Sequence, residues 1–263
     1  MRKLVLPTAA VLLVLVAGSA AWLQWRMAQP LQLTLRFHPV VGGEPLRFNE
    51  ARYPNPGGAG RFAVRDFQFF LSNIRLRGAR DSYVEPDSYH LVRFDDGTGA
   101  FDIALGAVPR GDYTFIEFGL GVDPTANGTI DQRGDLDPNG RMAWTWDVGY
   151  KFVLFEGALE IDDRRQPLVY HVGFDENYRP LGFALDPKRL TTRAARLDFR
   201  VDLLQMFGGS NPVDMAQLPT VKFDHTDAAR LAGNYSGMIT PSPSGRAGGG
   251  TAGLLRTTDK GLQ

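Results

Sequence analysis

The sequence predicts an all-β protein, an antiparallel β-sandwich with short helical additions. Three observations carry that reading. Apolar residues recur at every second position through most of the chain, which is the period of a half-buried strand. Clusters of Gly, Pro, Asn and Asp break the pattern at short intervals, as the turns of a sandwich require. Only "TDAARLAGNYSGM", following Asp224-His225, looks helical, with Asp224 or Thr226 as its N-cap.

The strands follow in order. "LQLTLRFH" puts Leu31, Leu33, Leu35 and Phe37 on one face and Gln32, Thr34, Arg36 and His38 on the other. "RFAVRDFQFFLSNIRLRG" reads as one or two strands, with its alternation disturbed at Phe69-Phe70. "SYHLVRF", "DYTFIEFGLG", "GYKFVLFEGALEI", "QPLVYHVGF" and "AARLDFRVDLL" complete the set. Turn signals separate them at Pro54-Asn55-Pro56-Gly57-Gly58, Asp95-Asp96-Gly97, Pro109-Arg110-Gly111-Asp112 and Asp137-Pro138-Asn139-Gly140. A period of two names the strands and leaves their pairing order open.

Residues 1–30 read as a signal peptide or an N-terminal membrane anchor, 31–240 as one folded β-sandwich, and 241–263 as a disordered tail. Arg2 and Lys3 precede an apolar run from Leu4 to Ala17. Ala17-x-Ser19 and Ser19-x-Ala21 both suit signal cleavage. Trp22, Leu23 and Trp25 extend the run and suit a membrane interface, the reading in which the segment stays uncleaved. Both readings export the body. The tail is rich in Gly, Ser, Pro and Thr and has almost no large apolar residues.

The composition removes several function classes. Twenty-nine basic residues balance 29 acidic ones, so no single-sign field draws in nucleic acid. Cysteine is absent, which excludes disulfides, thiolate metal sites and cysteine nucleophiles. A soft-metal site must therefore use His, Met or an unusual group. No H-E-x-x-H, nucleophile elbow, P-loop or dinucleotide fingerprint occurs, and with 29 acidic residues a glycosidase-type carboxylate pair is neither indicated nor excluded. In "DQRGDLDPNG", Asp135, Asp137, Asn139 and Gly140 resemble the opening of a calcium loop. The twelfth position is Trp146, where that loop needs Glu, and Asp-Pro-Asn-Gly is itself a good turn.

The least ordinary stretch is "RMAWTWDVGYKFVLFEG", residues 141–157. If extended, it places Met142, Trp144, Trp146 and Val148 on one face. The plain reading is an aromatic packing surface. A second reading notes that indoles beside a thioether suit a soft cation such as Cu(I), for which thioether and imidazole are natural ligands.

Four segments together resemble the MbnP-like family of periplasmic copper-binding proteins: "FFLSNIRL" (69–76), "GDYTFIEFGLGVDPTAN" (111–127), "GDLDPNGRMAWTWDVGYKFVLFEG" (134–157) and "YHVGF" (170–174). The likeness spans about residues 31–240. Its most specific element is the W-x-W motif. The resemblance implies that Trp144, the first tryptophan of the motif, is oxidised to kynurenine. The oxidant is a di-haem MbnH-like protein related to cytochrome c peroxidases and MauG, and copper binding depends on the conversion. The resemblance thus implies that the chain is the substrate of an oxidation, not an enzyme. Trp146 would be a neighbour in the electron path. Opening the indole ring creates an aromatic amine and a ketone, donors that indole lacks.

Among the histidines, His171 in "VYHVGF" matches an HLG-like segment of that family, with Val172 in place of Leu, and is the leading ligand. His38, His90 and Met142 complete the candidate metal set, each with a plain alternative as a surface imidazole or packing residue. His225, at the start of the expected helix, has a role near the cap as its plain reading. The cofactor implied is copper, as Cu(I). The expected location is the periplasm, either secreted after signal cleavage or anchored to the inner membrane, and the single sandwich is expected to be a monomer. The competing class is a metal-free sandwich that uses an exposed Trp platform to bind carbohydrate or protein.

Overall fold

The structure, a computed structural model, describes residues 18–19, 29–94, 99–144 and 148–242. Most of the expected signal or anchor segment, and the tail from residue 243 on, lie outside the described residues. Among the described residues no helix is long and apolar enough to cross a membrane.

Fourteen strands are described: β1 Leu31–Val41, β2 Glu44–Pro45, β3 Tyr53–Pro54, β4 Arg61–Gly78, β5 Ser82–Val84, β6 Tyr89–Arg93, β7 Phe101–Val108, β8 Tyr113–Leu120, β9 Lys151–Ile161, β10 Arg164–Gly173, β11 Arg179–Ala184, β12 Ala194–Asp202, β13 Thr220–Val221 and β14 Ile239–Pro241. They form two sheets. The first has the order β14-β12-β1-β2, with β7 also on β1; the second runs β11-β8-β4-β9-β10-β13, with β3, β5 and β6 also on β4. Most pairs are antiparallel, as expected. Two are parallel: β1 with β12, and β10 with β13. These strands are distant in sequence, and a long connection lets a chain return in either direction.

Strand β1 shows why the alternating pattern makes a sandwich. Leu31, Leu33, Leu35 and Phe37 are buried, while the residues between them are exposed or half-buried. The inner faces meet through aromatic rings: Phe37 stacks on Phe199 with centroids 5.3 Å apart, and Phe118 of the facing sheet meets Phe199 edge-on at 5.5 Å. Edge and offset contacts of this kind suit the ring quadrupole.

The second sheet is covered on both faces. Phe69, Val153 and Phe155 enter the main core, whereas Phe70, Phe152 and Leu154 enter a smaller cluster with Tyr89, Val122, Leu136, Met142 and Tyr150. The connection between β8 and β9 folds back over the outer face and supplies much of that cluster. This explains the disturbed alternation at Phe69-Phe70. "RFAVRDFQFFLSNIRLRG" is a single 18-residue strand, apolar on both faces near its middle.

Three α-helices are described: α1 Pro124–Asn127, α2 Leu204–Gly208 and α3 His225–Tyr235. The expected helix is α3, capped by the Asp224 side chain, which accepts from the Asp227 amide at 2.8 Å. Two short helices join the single one expected. Helix α1 begins at Pro124 and is capped by Asp123, which accepts from the amides of Thr125 and Ala126. Both signals are visible in "VDPTAN", but four residues are too few for a period.

Candidate functional site

The site is built on the outer face of the second sheet, where the β8–β9 connection meets the end of β10. "DPNG" is a turn, as its composition suggests: the Asn139 amide donates to the Asp137 carboxylate at 2.9 Å and the Gly140 amide to the Asp137 carbonyl at 3.0 Å. Asp135 is occupied by the Leu91 amide at 2.8 Å. The expected shared face of Met142, Trp144, Trp146 and Val148 is not seen at Met142 and Trp144, both among the described residues. Ala143 and Tyr150 form an isolated bridge, and the Trp144 amide donates to the Gly149 carbonyl at 3.0 Å. The flanks 143–144 and 149–150 are thereby held together; residues 145–147, including Trp146, lie outside the described residues. Met142 and Trp144 diverge: Met142 is buried in the smaller cluster, while Trp144 is half-buried at the surface.

Gly149 makes this pairing possible. Its φ is +89°, and a Cβ there would meet the Asn127 side chain at 2.3 Å, so a side-chain-free residue is required. Asn127 then links two segments of the site. It accepts from the Tyr150 amide at 2.7 Å and donates to the Asp175 carboxylate at 2.8 Å.

The Trp144 indole lies over Gly173, the last residue of β10. A Cβ on Gly173 would meet ring carbons Cζ3 and Cη2 at 2.5 and 2.9 Å. The ring also contacts Phe174 (centroids 5.2 Å) and Phe223 (5.3 Å). Phe174 in turn stacks on His225 at 4.0 Å. The Phe174 backbone has φ +70° and ψ 141°, a region nearly reserved for glycine that costs on the order of 1–3 kcal/mol. A phenylalanine held there sends its ring between Trp144 and His225. Phe223 is 61% exposed, so the aromatic group has a solvent-facing edge.

His171 is two residues before Gly173 on β10, with a shift in the β9–β10 register between Val172 and Gly173. Its Nε2 is 3.2 Å from Glu156 Oε1. Burial pushes the Glu156 carboxyl up, but hydrogen bonds from Arg65, Arg141 and His171 outweigh it and hold the pKa at about 2. An ionised carboxylate only accepts, so Nε2 carries the proton and a neutral His171 keeps its lone pair on Nδ1. Burial lowers the His171 pKa, Glu156 opposes that, and the Lys151 charge adds to the lowering. The arrangement is the carboxylate–histidine support typical of metal-binding imidazoles. His225 repeats it, with Nδ1 2.6 Å from Glu176 Oε1 and Nε2 as the other ring nitrogen.

The remaining candidates are elsewhere. His38 follows inward-facing Phe37, so it points outward from the first sheet, where Nε2 is 3.0 Å from Asp198. His171 alternates with buried Tyr170 and Val172 and points outward from the second sheet. The two histidines are on opposite outer faces, and one ion cannot bind both. His90 alternates with Tyr89 and Leu91, which pack into the smaller cluster, so it faces away from that cluster. There its Nε2 is 2.8 Å from Glu85. Among the described residues no group of three or more His, Cys, Asp or Glu could hold a metal ion.

Phe174, Phe223, Glu156 and Lys151 are the members of the site that residue patterns did not single out, and for His225 the sequence suggests only a role near the helix cap. "GF" at 173–174 and "FDH" at 223–225 are too short to announce themselves. Only the return of the chain after β13 brings Phe223 and His225 to Trp144.

The fold and site define a two-sheet sandwich that presents a half-buried indole beside carboxylate-supported histidines. A family model described as MbnP matches residues 30–223. The chain belongs to the MbnP family. A solved structure, MbnP from Methylosinus trichosporium, is similar in fold: TM-score 0.51 and 19% sequence identity, over 71% of this chain and 80% of that one. None of the curated proteins matches.

Proposed function

We propose that the chain is an exported, periplasmic copper-binding protein of copper homeostasis. Its site becomes competent when a di-haem MbnH-like enzyme oxidises Trp144 to kynurenine. The observation that carries this reading is the seat of Trp144, on Gly173, two residues from His171 and one ring from His225. The donor set supports it. Two imidazoles held by carboxylates offer nitrogen lone pairs, but the described residues alone do not make a metal cluster. Indole adds no lone pair, whereas the ring-opened product adds an aromatic amine and a ketone oxygen. The conversion is a four-electron oxidation that cleaves the pyrrole double bond and leaves an oxygen on each of its carbons; two equivalents of peroxide serve as the oxidant, and their other two oxygen atoms leave as water. Hydrolysis then releases the severed carbon as formate. The product has one carbon fewer and one oxygen more than tryptophan. Copper, when bound, supplies a soft centre for imidazole and for the new donors.

The metal-free platform reading has one observation in its favour, the exposed ring of Phe223 beside Trp144. The two are separated by producing the chain with and without a di-haem peroxidase-type enzyme. Tandem mass spectrometry reads Trp144, and copper titration reads binding. Kynurenine at Trp144 accompanied by tight copper binding is expected. Tight copper binding by the unmodified chain, or equal binding by Trp144→Phe, would overturn the proposal.

A further inference from the structure

Lys151 is a buried cation that the proposed chemistry does not use. It starts β9, opposite Gly173 on β10, and is only 8% exposed. Its ammonium donates to the carbonyls of Arg141 at 2.6 Å and Ala143 at 3.0 Å. Its backbone amide donates to the carbonyl of the residue between them, Met142, at 2.6 Å. One residue thus holds three consecutive carbonyls of the segment leading into Trp144. The same Nζ is 6.0 Å from the centre of the Trp144 ring, at the outer limit of a cation–π contact. Burying an ammonium is costly unless its hydrogen bonds are made. A methionine of similar length would fill the space without that cost. What it would lose is the grip on the loop.

We propose that Lys151 is the positioning residue of the site: it captures the Arg141 and Ala143 carbonyls and so fixes the Trp144 indole on Gly173. Three contacts on consecutive carbonyls leave the 141–143 backbone one orientation, and that orientation decides which way the next side chain points. Gly173 supplies the flat seat, and Lys151 holds the loop that delivers the ring to it. The inference rests on the reading of Trp144 as the oxidised residue, and it explains how one indole of W-x-W is presented reproducibly.

The test compares wild type, Lys151→Met, Lys151→Arg and the core variant Leu159→Ala in the full chain. Each is produced with the di-haem enzyme, and kynurenine at residues 144 and 146 is quantified by mass spectrometry. Trp144 emission is recorded separately on unmodified protein in which the other tryptophans are phenylalanine. Lys151→Met should shift the emission and lower modification at residue 144, by on the order of tenfold to a hundredfold if misplacement of about an ångström results. Lys151→Arg should recover part of both. Leu159→Ala, a destabilising change remote from the loop, should leave both near wild type. If Lys151→Met does not fold, Lys151→Gln, which keeps an N–H donor and loses the charge, takes its place, with an intermediate loss expected. Unchanged emission and modification in Lys151→Met or Lys151→Gln would overturn the proposal. So would modification that merely follows thermal stability across all variants. Wild type without kynurenine at Trp144 would instead defeat the oxidation reading, and the emission comparison would still decide the role of Lys151.

Discussion

The indole of Trp144 rests on the bare backbone of Gly173, so close that a methyl group on Gly173 would meet the ring at 2.5 Å. The Tyr150 carbonyl lies at the same distance from that position, so the added carbon is blocked from two sides. Gly173→Ala should therefore expel the ring and cost about 1–3 kcal/mol through overpacking. Denaturant unfolding measures the cost, and Trp144 emission in a single-tryptophan background measures the displacement. An alanine variant with wild-type emission would contradict the seat.

Phe174 offers a test of stored strain. Alanine and glycine both remove its ring contacts with Trp144 and His225, but only glycine accepts φ +70° without penalty. Phe174→Gly should consequently be more stable than Phe174→Ala by about 1 kcal/mol, the reverse of the usual order inside regular elements. Paired unfolding curves read this difference directly.

Asp123 ties the base of the loop together and makes stability pH-dependent. Burial raises its pKa, but hydrogen bonds from Tyr89 and Asn73 and from the amides of Ala126 and Thr125 outweigh this and bring it below the ordinary 3.8. A carboxyl with a depressed folded pKa contributes fully above its unfolded value. That contribution fades as pH falls below 3.8 toward the folded value. Asp123→Asn should flatten this acid limb of the stability curve. Asp123→Ala should cost about 1 kcal/mol near neutral pH through loss of the α1 cap. Equal acid slopes for wild type and Asp123→Asn would assign the acid sensitivity to other groups.

His171 is the imidazole closest in sequence to the seat of Trp144. In protein carrying kynurenine at residue 144, His171→Ala should weaken copper binding by at least about 10-fold, the loss expected even for a supporting group of a metal site. His38→Ala, on the opposite face, should bind as wild type does. Competition titration with a copper chelator compares them. Unchanged affinity in His171→Ala removes it from the ligand set.

Much of this molecule was readable in the chain. The period of two named seven of the strands, β1, β4, β6, β8, β9, β10 and β12, because apolar side chains at alternate positions leave a strand only one way to face a core; it did not name β7, Phe101–Val108, which is as long as β8. A cap at Asp224 or Thr226 marked the main helix, which the structure caps with Asp224, and four segments around W-x-W carried the family resemblance. The pairing of β1 with β12 was not readable. Nor was the double burial of β4 and β9, where Phe69-Phe70 and "KFVLF" look like broken alternation until the 121–150 connection covers the second face.

The site divides the same way. Sequence by itself determined which residue types were available: two neighbouring indoles, four histidines, no thiol. Tertiary structure decided which of them meet. It set His38 and His171 on opposite faces and brought Phe223 and His225 from the far side of β13 to the Trp144 ring group. It also turned Lys151 inward onto the loop. The physical reason is range. Periodicity and capping are properties of neighbours along the chain, whereas the contact between Trp144 and Phe223 depends on how the intervening strands pair, and no local pattern encodes that pairing.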